Sequence, residues 1–109
     1  MTRTGTILLW VFVVSFGFSQ TSEKQVIQSP DAPKAIGPYS QAILAGNTLY
    51  ISGQIAINPE TGKMDTLNFE TEIRRVLSNL GVVLKEAGMS FENVVKATIF
   101  TTDLKNYKL

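Results

Sequence analysis

The residues best suited to chemistry lie at two glycine-containing corners of the 109-residue chain, residues 36–41 (IGPYSQ) and residues 52–54 (SGQ). Together they offer a tyrosine hydroxyl, serine hydroxyls, side-chain amides and a glycine N–H that no side chain shields. Between them lies a hairpin pattern of apolar residues. Small, directional polar groups beside apolar strands are suited to holding a small polar ligand. We therefore expect any substrate site of the chain to include these two corners.

The composition narrows the chemistry that these corners could perform. The chain has no histidine and no cysteine, which excludes Ser-His triads, thiol nucleophiles and zinc sites built on those residues. Its nine acidic residues do not follow the spacing of a metal-binding loop. We therefore expect chemistry without a metal or cofactor, or simple binding. A net charge of +1 without a basic stripe does not favour nucleic acid as a partner.

The N-terminus has the pattern of an export signal. Arg3 precedes an apolar run at residues 7–18, and small and polar residues follow. The run is shorter than the about 20 residues that span a bilayer. We predict a signal peptide at residues 1–19 and one domain at residues 20–109, exported to the periplasm or secreted, with no membrane attachment after cleavage. The alternatives are a buried strand, an uncleaved anchor, or a cytoplasmic protein.

The remaining chain combines short strand patterns with one long helical pattern. The strands are predicted at residues 25–28, 40–44, 49–53 and 94–102, and the helix at residues 68–87. Gly46 and Asn47 connect the second and third strands, and they predict a two-residue primed turn with positive φ at both positions. Residues 58–62 (NPETG) predict a tight turn ahead of the helix.

The predicted helix has defined ends and one apolar face. Asn68 is suited to be the N-cap, and Gly88 is suited to follow the last turn. Arg74 and Arg75 lie on the polar face, where we expect them to contact solvent or a partner. The apolar face, expected to pack on the sheet, comprises Phe69, Ile73, Val76, Leu77, Leu80, Val83, Leu84 and Ala87.

The strand predicted at residues 94–102 follows the helix, so we expect it to pair parallel to an earlier strand. Val95, Ala97 and Ile99 form the face expected to pack against the helix. This order of elements indicates an α+β or α/β fold. A helix about 10 Å wide cannot cover four strands spaced about 4.8 Å apart. We expect the remaining cover to come from other chains or from a further C-terminal part.

Five ordered segments of the chain resemble the RidA (YjgF-type) enamine/imine deaminases. The resemblance extends from about Ser29 to Leu104. Several motifs in the same order at matching spacing are far more specific than one short pattern. The segments are residues 35–41 (AIGPYSQ), 52–55 (SGQI), 58–62 (NPETG), 76–80 (VLSNL) continuing to 86–88 (EAG), and 94–100 (VVKATIF) with Asp103 and Leu104.

The resemblance implies an α+β fold, a RidA/chorismate-mutase-like sheet with helices packed on one face. It implies that a C-terminal helix and further strands of that fold are missing from this chain, which would make residues 20–109 a domain truncated at its C-terminus. It also implies a homotrimer with active sites between subunits. The activity it implies is hydrolysis of reactive 2-imino or enamine acids to 2-keto acids and ammonia, without metal or cofactor.

The resemblance also assigns roles to residues of the two corners. Tyr39 matches a catalytic tyrosine that lines the substrate pocket. Ser52, Gly53 and Gln54 match a substrate-binding corner, in which the Gly53 N–H would hold a substrate oxygen. The family's carboxylate-clamping Arg, water-positioning Glu and a further Asn are implied to lie beyond Leu109. Arg74 and Arg75 are poor substitutes for the clamp, because their helix face should point away from the cleft.

Other interpretations of the same residues stay open. Tyr39 could cap a loop by hydrogen bonding to the backbone. Residues 52–54 could be a strand-end bulge that needs positive φ at Gly53. The whole protein could be a non-catalytic, trimeric protein that binds a small ligand or a partner on the same scaffold. A role in nucleic-acid processing is the weakest alternative, because the charge is close to neutral.

Overall fold

The computed structural model describes residues 23–108, which form an α+β fold of one antiparallel sheet and one long helix. The predicted signal peptide at residues 1–19 lies outside the described residues. The elements are β1 (Lys24–Ile27), β2 (Ala42–Ala45), β3 (Thr48–Ile51), α1 (Phe69–Glu86) and two short 3-10 helices, Phe91–Asn93 and Leu104–Lys108.

The sheet is an antiparallel meander in the order β1-β2-β3. The β2–β3 ladder pairs Ala42 with Ile51 and Ala45 with Thr48. The turn at Gly46 and Asn47 has positive φ only at Gly46, where φ is 58°. The expectation of positive φ at both positions was wrong. A two-residue turn with positive φ only at its first position, here Gly46, also fits the twist of a hairpin. It leaves Asn47 with an ordinary negative φ.

The ends of α1 follow local sequence signals. The Asn68 side chain accepts a hydrogen bond from the Thr71 N–H at 2.9 Å, so the predicted N-cap is confirmed. Gly88 follows the helix with φ of 70°, as the C-terminal signal predicted. The Met89 N–H then donates to the Leu84 carbonyl oxygen at 2.9 Å. The left-handed conformation of Gly88 turns the chain back, so that the following N–H can donate to a carbonyl oxygen left free in the last helical turn.

The core lies where α1 meets the sheet and the loop after β1. Val83 packs there with Ile27, Ala32 and Ala42. Partly buried side chains surround this cluster: Leu44, Leu49, Ile51, Val82 and Ala87. Only part of the predicted apolar face of the helix is buried, since Val83 and Leu84 are buried while Leu77 is 47% exposed.

The strand predicted at residues 94–102 is absent from the described part of the chain. Those residues join no ladder, and no parallel pairing occurs within residues 23–108. Val95 is 96% exposed and does not pack on the helix, although Ile99 lies beside α1. The alternation of side chains in residues 94–102 predicts the two faces of a strand. A strand forms only where a neighbouring strand pairs with it, and the alternation does not show whether one is present. None of the described helices combines the length and apolarity needed to cross a membrane.

Candidate functional site

The two corners predicted from the sequence meet where the β2–β3 ladder ends. The Ser52 backbone N–H and the Ser52 hydroxyl both donate to the Gln41 carbonyl oxygen, each at 3.0 Å. The contact extends the hairpin by one residue pair beyond Ala42 and Ile51. The second corner is therefore anchored directly on the last residue of the first.

The Gln41 side chain points into the protein and not toward a ligand. It is only 5% exposed. Its Oε1 accepts from the Ser29 N–H at 2.7 Å, and its Nε2 donates to the carbonyl oxygens of Ser29 and Pro33 at 3.2 and 3.0 Å. All of these partners belong to the loop after β1. Gln41 therefore ties that loop to the hairpin, as expected for a buried amide whose polar atoms must be satisfied.

Gln54 folds back onto Ser52. Its Nε2 donates to the Ser52 carbonyl oxygen at 3.2 Å and approaches Ser52 Oγ at 3.5 Å. Both side chains are half-buried. The Ser52 hydroxyl donates its proton to the Gln41 carbonyl oxygen. The side chains of Ser52 and Gln54 therefore mainly shape the corner around Gly53.

Gly53 presents a free backbone donor at this corner. It is exposed, and a Cβ at this position would meet nothing within 4 Å apart from its chain neighbours. Its φ is not positive, so the alternative of a bulge that requires glycine for its backbone is wrong. Within residues 23–108 the Gly53 N–H donates to no acceptor. It is therefore a backbone donor open to a ligand.

Tyr39 lies on the first corner with its ring half exposed, at 49%. Its hydroxyl oxygen accepts from the Ile36 N–H at 3.4 Å, and its own N–H donates to the Gly37 carbonyl oxygen at 2.8 Å. The ring covers Gly37, where a Cβ would lie 3.4 Å from two ring carbons. Tyr39 thus caps its loop, while the hydroxyl proton stays free to donate. It makes no hydrogen bond to residues 52–54 within the described chain.

Asn79 supports the chain segment that leaves the second corner. This α1 residue is 1% exposed, and its Nδ2 donates to the carbonyl oxygens of Ile55 and Ile57 at 3.1 and 2.9 Å. The sequence reasoning assigned it no role. The sequence did indicate a buried polar residue here, because Asn79 lies three residues after Val76 and four before Val83 and so falls on the apolar face of the helix.

The two arginines of the described chain are engaged in ion pairs. Arg74 contacts Glu70 one turn away at 2.8 Å, and both are exposed as predicted. Arg75 contacts Asp65 at 2.6 Å with both side chains mostly covered, so Arg75 does not face mainly solvent. The Asp65 N–H donates to the Ala56 carbonyl oxygen, which holds the carboxylate over the helix. Each arginine therefore already has a carboxylate partner within the described chain.

A groove and the lack of a metal-binding cluster are two further features of residues 23–108. A groove of about 520 Å³ runs between α1 and residues 99–107, and none of the corner residues lines it. No group of three or more acidic, histidine or cysteine side chains in this part of the chain could hold a metal ion. Tyr39 and Gly53 are therefore the residues of the corners on which we base the proposed chemistry, which is hydrogen bonding to a ligand.

Comparison with known proteins shows relatives that match most of this chain. The family model for endoribonuclease L-PSP matches residues 29–109. A RutC family protein of Aquifex aeolicus is 48% identical over 82 residues, which is 75% of this chain and 65% of that protein. The human 2-iminobutanoate/2-iminopropanoate deaminase is 44% identical over 84 residues, 77% of this chain and 61% of that protein. The chain thus spans less than two thirds of both relatives.

A solved structure extends the similarity to the fold. The crystal structure of YyfA, a protein of the conserved Rid family from Yersinia pestis, matches with a TM-score of 0.76 at 48% identity. The match covers 79% of this chain and 68% of that one.

Proposed function

The chain belongs to the RidA (YjgF-type) family, whose family model is described as endoribonuclease L-PSP, and from this membership we propose that the protein hydrolyses reactive 2-imino acids and their enamine tautomers to 2-keto acids and ammonia. The observation that carries the proposal is the open Gly53 N–H, which has no acceptor within the described residues. The name of the human relative supports the choice of substrate class.

The proposed reaction needs a held substrate more than a strong nucleophile. Water adds to the carbon of the C=N bond, and the resulting carbinolamine loses ammonia to leave the keto acid. Gly53 would donate to a substrate oxygen and restrict the orientation of the carbon under attack. Tyr39 would line the pocket and donate its free hydroxyl proton, while Ser52 and Gln54 complete the wall. No metal or cofactor takes part in the proposed reaction.

We further propose that the protein works as a homotrimer with each site shared between subunits. Apolar side chains exposed after α1, chief among them Val95 and Phe100, support an interface on that surface. The substrate carboxylate needs a cationic partner. Because Arg74 and Arg75 are already paired, a cation from outside residues 23–108 or from a neighbouring subunit would serve.

A non-catalytic protein that binds small keto acids on the same scaffold is the second candidate. The observation that favours it is that the Ser52 hydroxyl donates to the Gln41 carbonyl oxygen and the Gln54 side-chain amino group donates to the Ser52 carbonyl oxygen, so both of these donors are already used. Such a protein would use the Gly53 N–H and Tyr39 only to bind.

Hydrolysis of 2-iminobutanoate separates the two candidates. An amino-acid oxidase would generate the imine in situ from 2-aminobutanoate, and formation of 2-oxobutanoate would be compared with the uncatalysed rate. The deaminase proposal predicts an acceleration proportional to the concentration of the full-length protein. An unchanged rate, together with saturable binding of 2-oxobutanoate, would instead support the binding protein.

A further inference from the structure

The corner that carries the open Gly53 N–H is held on one side by the backbone carbonyl of Gln41, a residue whose side-chain amide is buried, and on the other side by the buried side-chain amide of Asn79. On one side the Gln41 carbonyl accepts two hydrogen bonds from Ser52, and the Gln41 amide is itself locked to the loop after β1. On the other side Asn79 donates to the carbonyl oxygens of Ile55 and Ile57. Only two residues, Gly53 and Gln54, lie between these attachments.

The two amides leave little freedom to the backbone between them. Gln41 and Asn79 are almost fully buried, at 5% and 1% exposure. The side-chain amino group of each donates to two backbone carbonyl oxygens. A buried donor or acceptor that loses its partner is strongly unfavourable, so each amide resists displacement. Glycine alone would otherwise be the most mobile residue of such a corner.

We propose that Gln41 and Asn79 are positioning residues, which fix the Gly53 N–H in one direction so that it receives an oxygen of a small oxo or imino acid. A donor that is ordered before binding avoids the entropy cost of being ordered by the ligand. The inference rests on the proposed function for the identity of the ligand. The ordering of the Gly53 N–H itself is a property of the free protein.

Two nearly isosteric substitutions remove the donors and keep the shape of each side chain. Asn79→Asp replaces the amino group that donates to the carbonyl oxygens of Ile55 and Ile57 with an oxygen, which cannot donate. Gln41→Glu makes the same replacement opposite the carbonyl oxygens of Ser29 and Pro33. Matched controls make the same chemical change at exposed positions. They are Asn47→Asp in the β2–β3 turn and Gln28→Glu after β1.

Binding is measured on the 15N-labelled full-length protein by titration with 2-oxobutanoate, following the Gly53 amide signal well below each thermal midpoint. Asn79→Asp and Gln41→Glu are expected to raise the Kd about tenfold in the folded protein, the usual size of an effect on one well-placed hydrogen bond. The controls should stay within about twofold of the wild type. A lowered thermal midpoint with an unchanged Kd would show a purely structural role and overturn the proposal.

Relaxation of the Gly53 amide provides a measurement that needs neither stable variants nor a ligand. In the free wild-type protein we expect an order parameter of about 0.85, like that of α1, whereas a value below about 0.6 would overturn the proposal. If 2-oxobutanoate does not bind the wild type, the proposed function fails. The positioning role is then decided by whether the two variants mobilise Gly53 while the controls do not.

Discussion

Gly53 keeps its backbone hydrogen-bond donor free. The Ser52 hydroxyl and the side-chain amino groups of Gln54 and Gln41 instead donate to backbone carbonyl oxygens. Tyr39 keeps only its hydroxyl proton, because its oxygen accepts from the loop that it caps. At the scale of single residues, Gly53 and Tyr39 therefore offer free donors beside side chains whose own donors are already engaged.

Gly53→Ala tests whether the glycine serves the ligand or the fold. Because φ is not positive and a Cβ would meet nothing nearby, we expect the free energy of unfolding to change by less than about 1 kcal/mol. Urea denaturation measures this. A loss of more than about 2 kcal/mol would mean that the backbone there requires glycine, contrary to the geometry described.

Tyr39→Phe tests the tyrosine hydroxyl. Its 3.4 Å hydrogen bond is long and exposed, so its removal should cost less than about 1 kcal/mol of stability. If the free hydroxyl proton acts on the substrate, kcat for 2-iminobutanoate should fall about 10²-fold, in the range of general acid catalysis. Full activity in the variant would leave Tyr39 only its loop-capping role.

The side-chain directions at this site were only partly predictable. Residue types and spacing identified both corners, since glycine, proline and tyrosine in that order mark a turn with a polar group beside a strand. The inward direction of Gln41 and the contact from Asn79 to Ile55 depend on how the loop after β1 and α1 pack on the hairpin. No local pattern encodes that packing.

At the scale of elements, the predicted hairpin and helix both formed, although the limits of β2 and β3 differ from the prediction by one or two residues. The β2–β3 hairpin and α1 carry their own turn and cap residues, so their limits follow from short-range hydrogen bonds. The segment after Val94 shows the opposite case. Its alternating pattern has strand character, but a strand requires a neighbour, and residues 94–101 have none in the described chain.

Asn68→Ala tests the local control of α1. The substitution removes the oxygen that accepts from the Thr71 N–H, so we expect a loss of about 1 kcal/mol in the free energy of unfolding. Asn47→Ala, at an exposed turn position, provides the control. Equal stability of both variants would show that the cap does not contribute.

At the scale of the whole molecule, exposed apolar surface is the dominant feature of the C-terminal part. Val95 and Phe100 are 96% and 94% exposed, and neither contributes to the core of β1, β2, β3 and α1. Such a concentration of apolar side chains is typical of surfaces that contact other chains. This feature supports assembly, in agreement with the proposed trimer.

The 109-residue chain expressed alone should therefore associate or aggregate. Phe100→Ser should reduce association and leave the thermal midpoint unchanged, because the side chain is outside the core. Thr102→Ala, a second exposed position, serves as a control. Sedimentation velocity measures the outcome, and a monodisperse monomer at micromolar concentration would contradict the expectation.

Charge provides a test of the nucleic-acid alternative. The chain has ten basic and nine acidic residues, and without Arg3 the counts are nine and nine. A protein without a basic surface should lack the salt-dependent affinity that phosphate contacts produce. Filter binding with single-stranded RNA should show no such affinity. Binding that weakens steeply between low and physiological salt would favour an RNA-directed role.

Export of the protein remains a proposal from the N-terminal pattern. Arg3, the apolar run at residues 7–18 and the small residues after it predict cleavage before Gln20. Fractionation of cells followed by sequencing of the mature N-terminus measures this directly. A cytoplasmic protein that retains Arg3 would contradict it.

We propose that the Gly53 N–H and the open space beside it serve a substrate oxygen during imine hydrolysis. The most direct test compares kcat/KM for 2-iminobutanoate between the wild type and Gly53→Ala at equal folded concentration. Alanine keeps the N–H, but its methyl group would occupy the open space where the substrate is proposed to lie, so we predict a fall of at least about tenfold with the fold intact. Equal kcat/KM values in the two proteins would contradict the account.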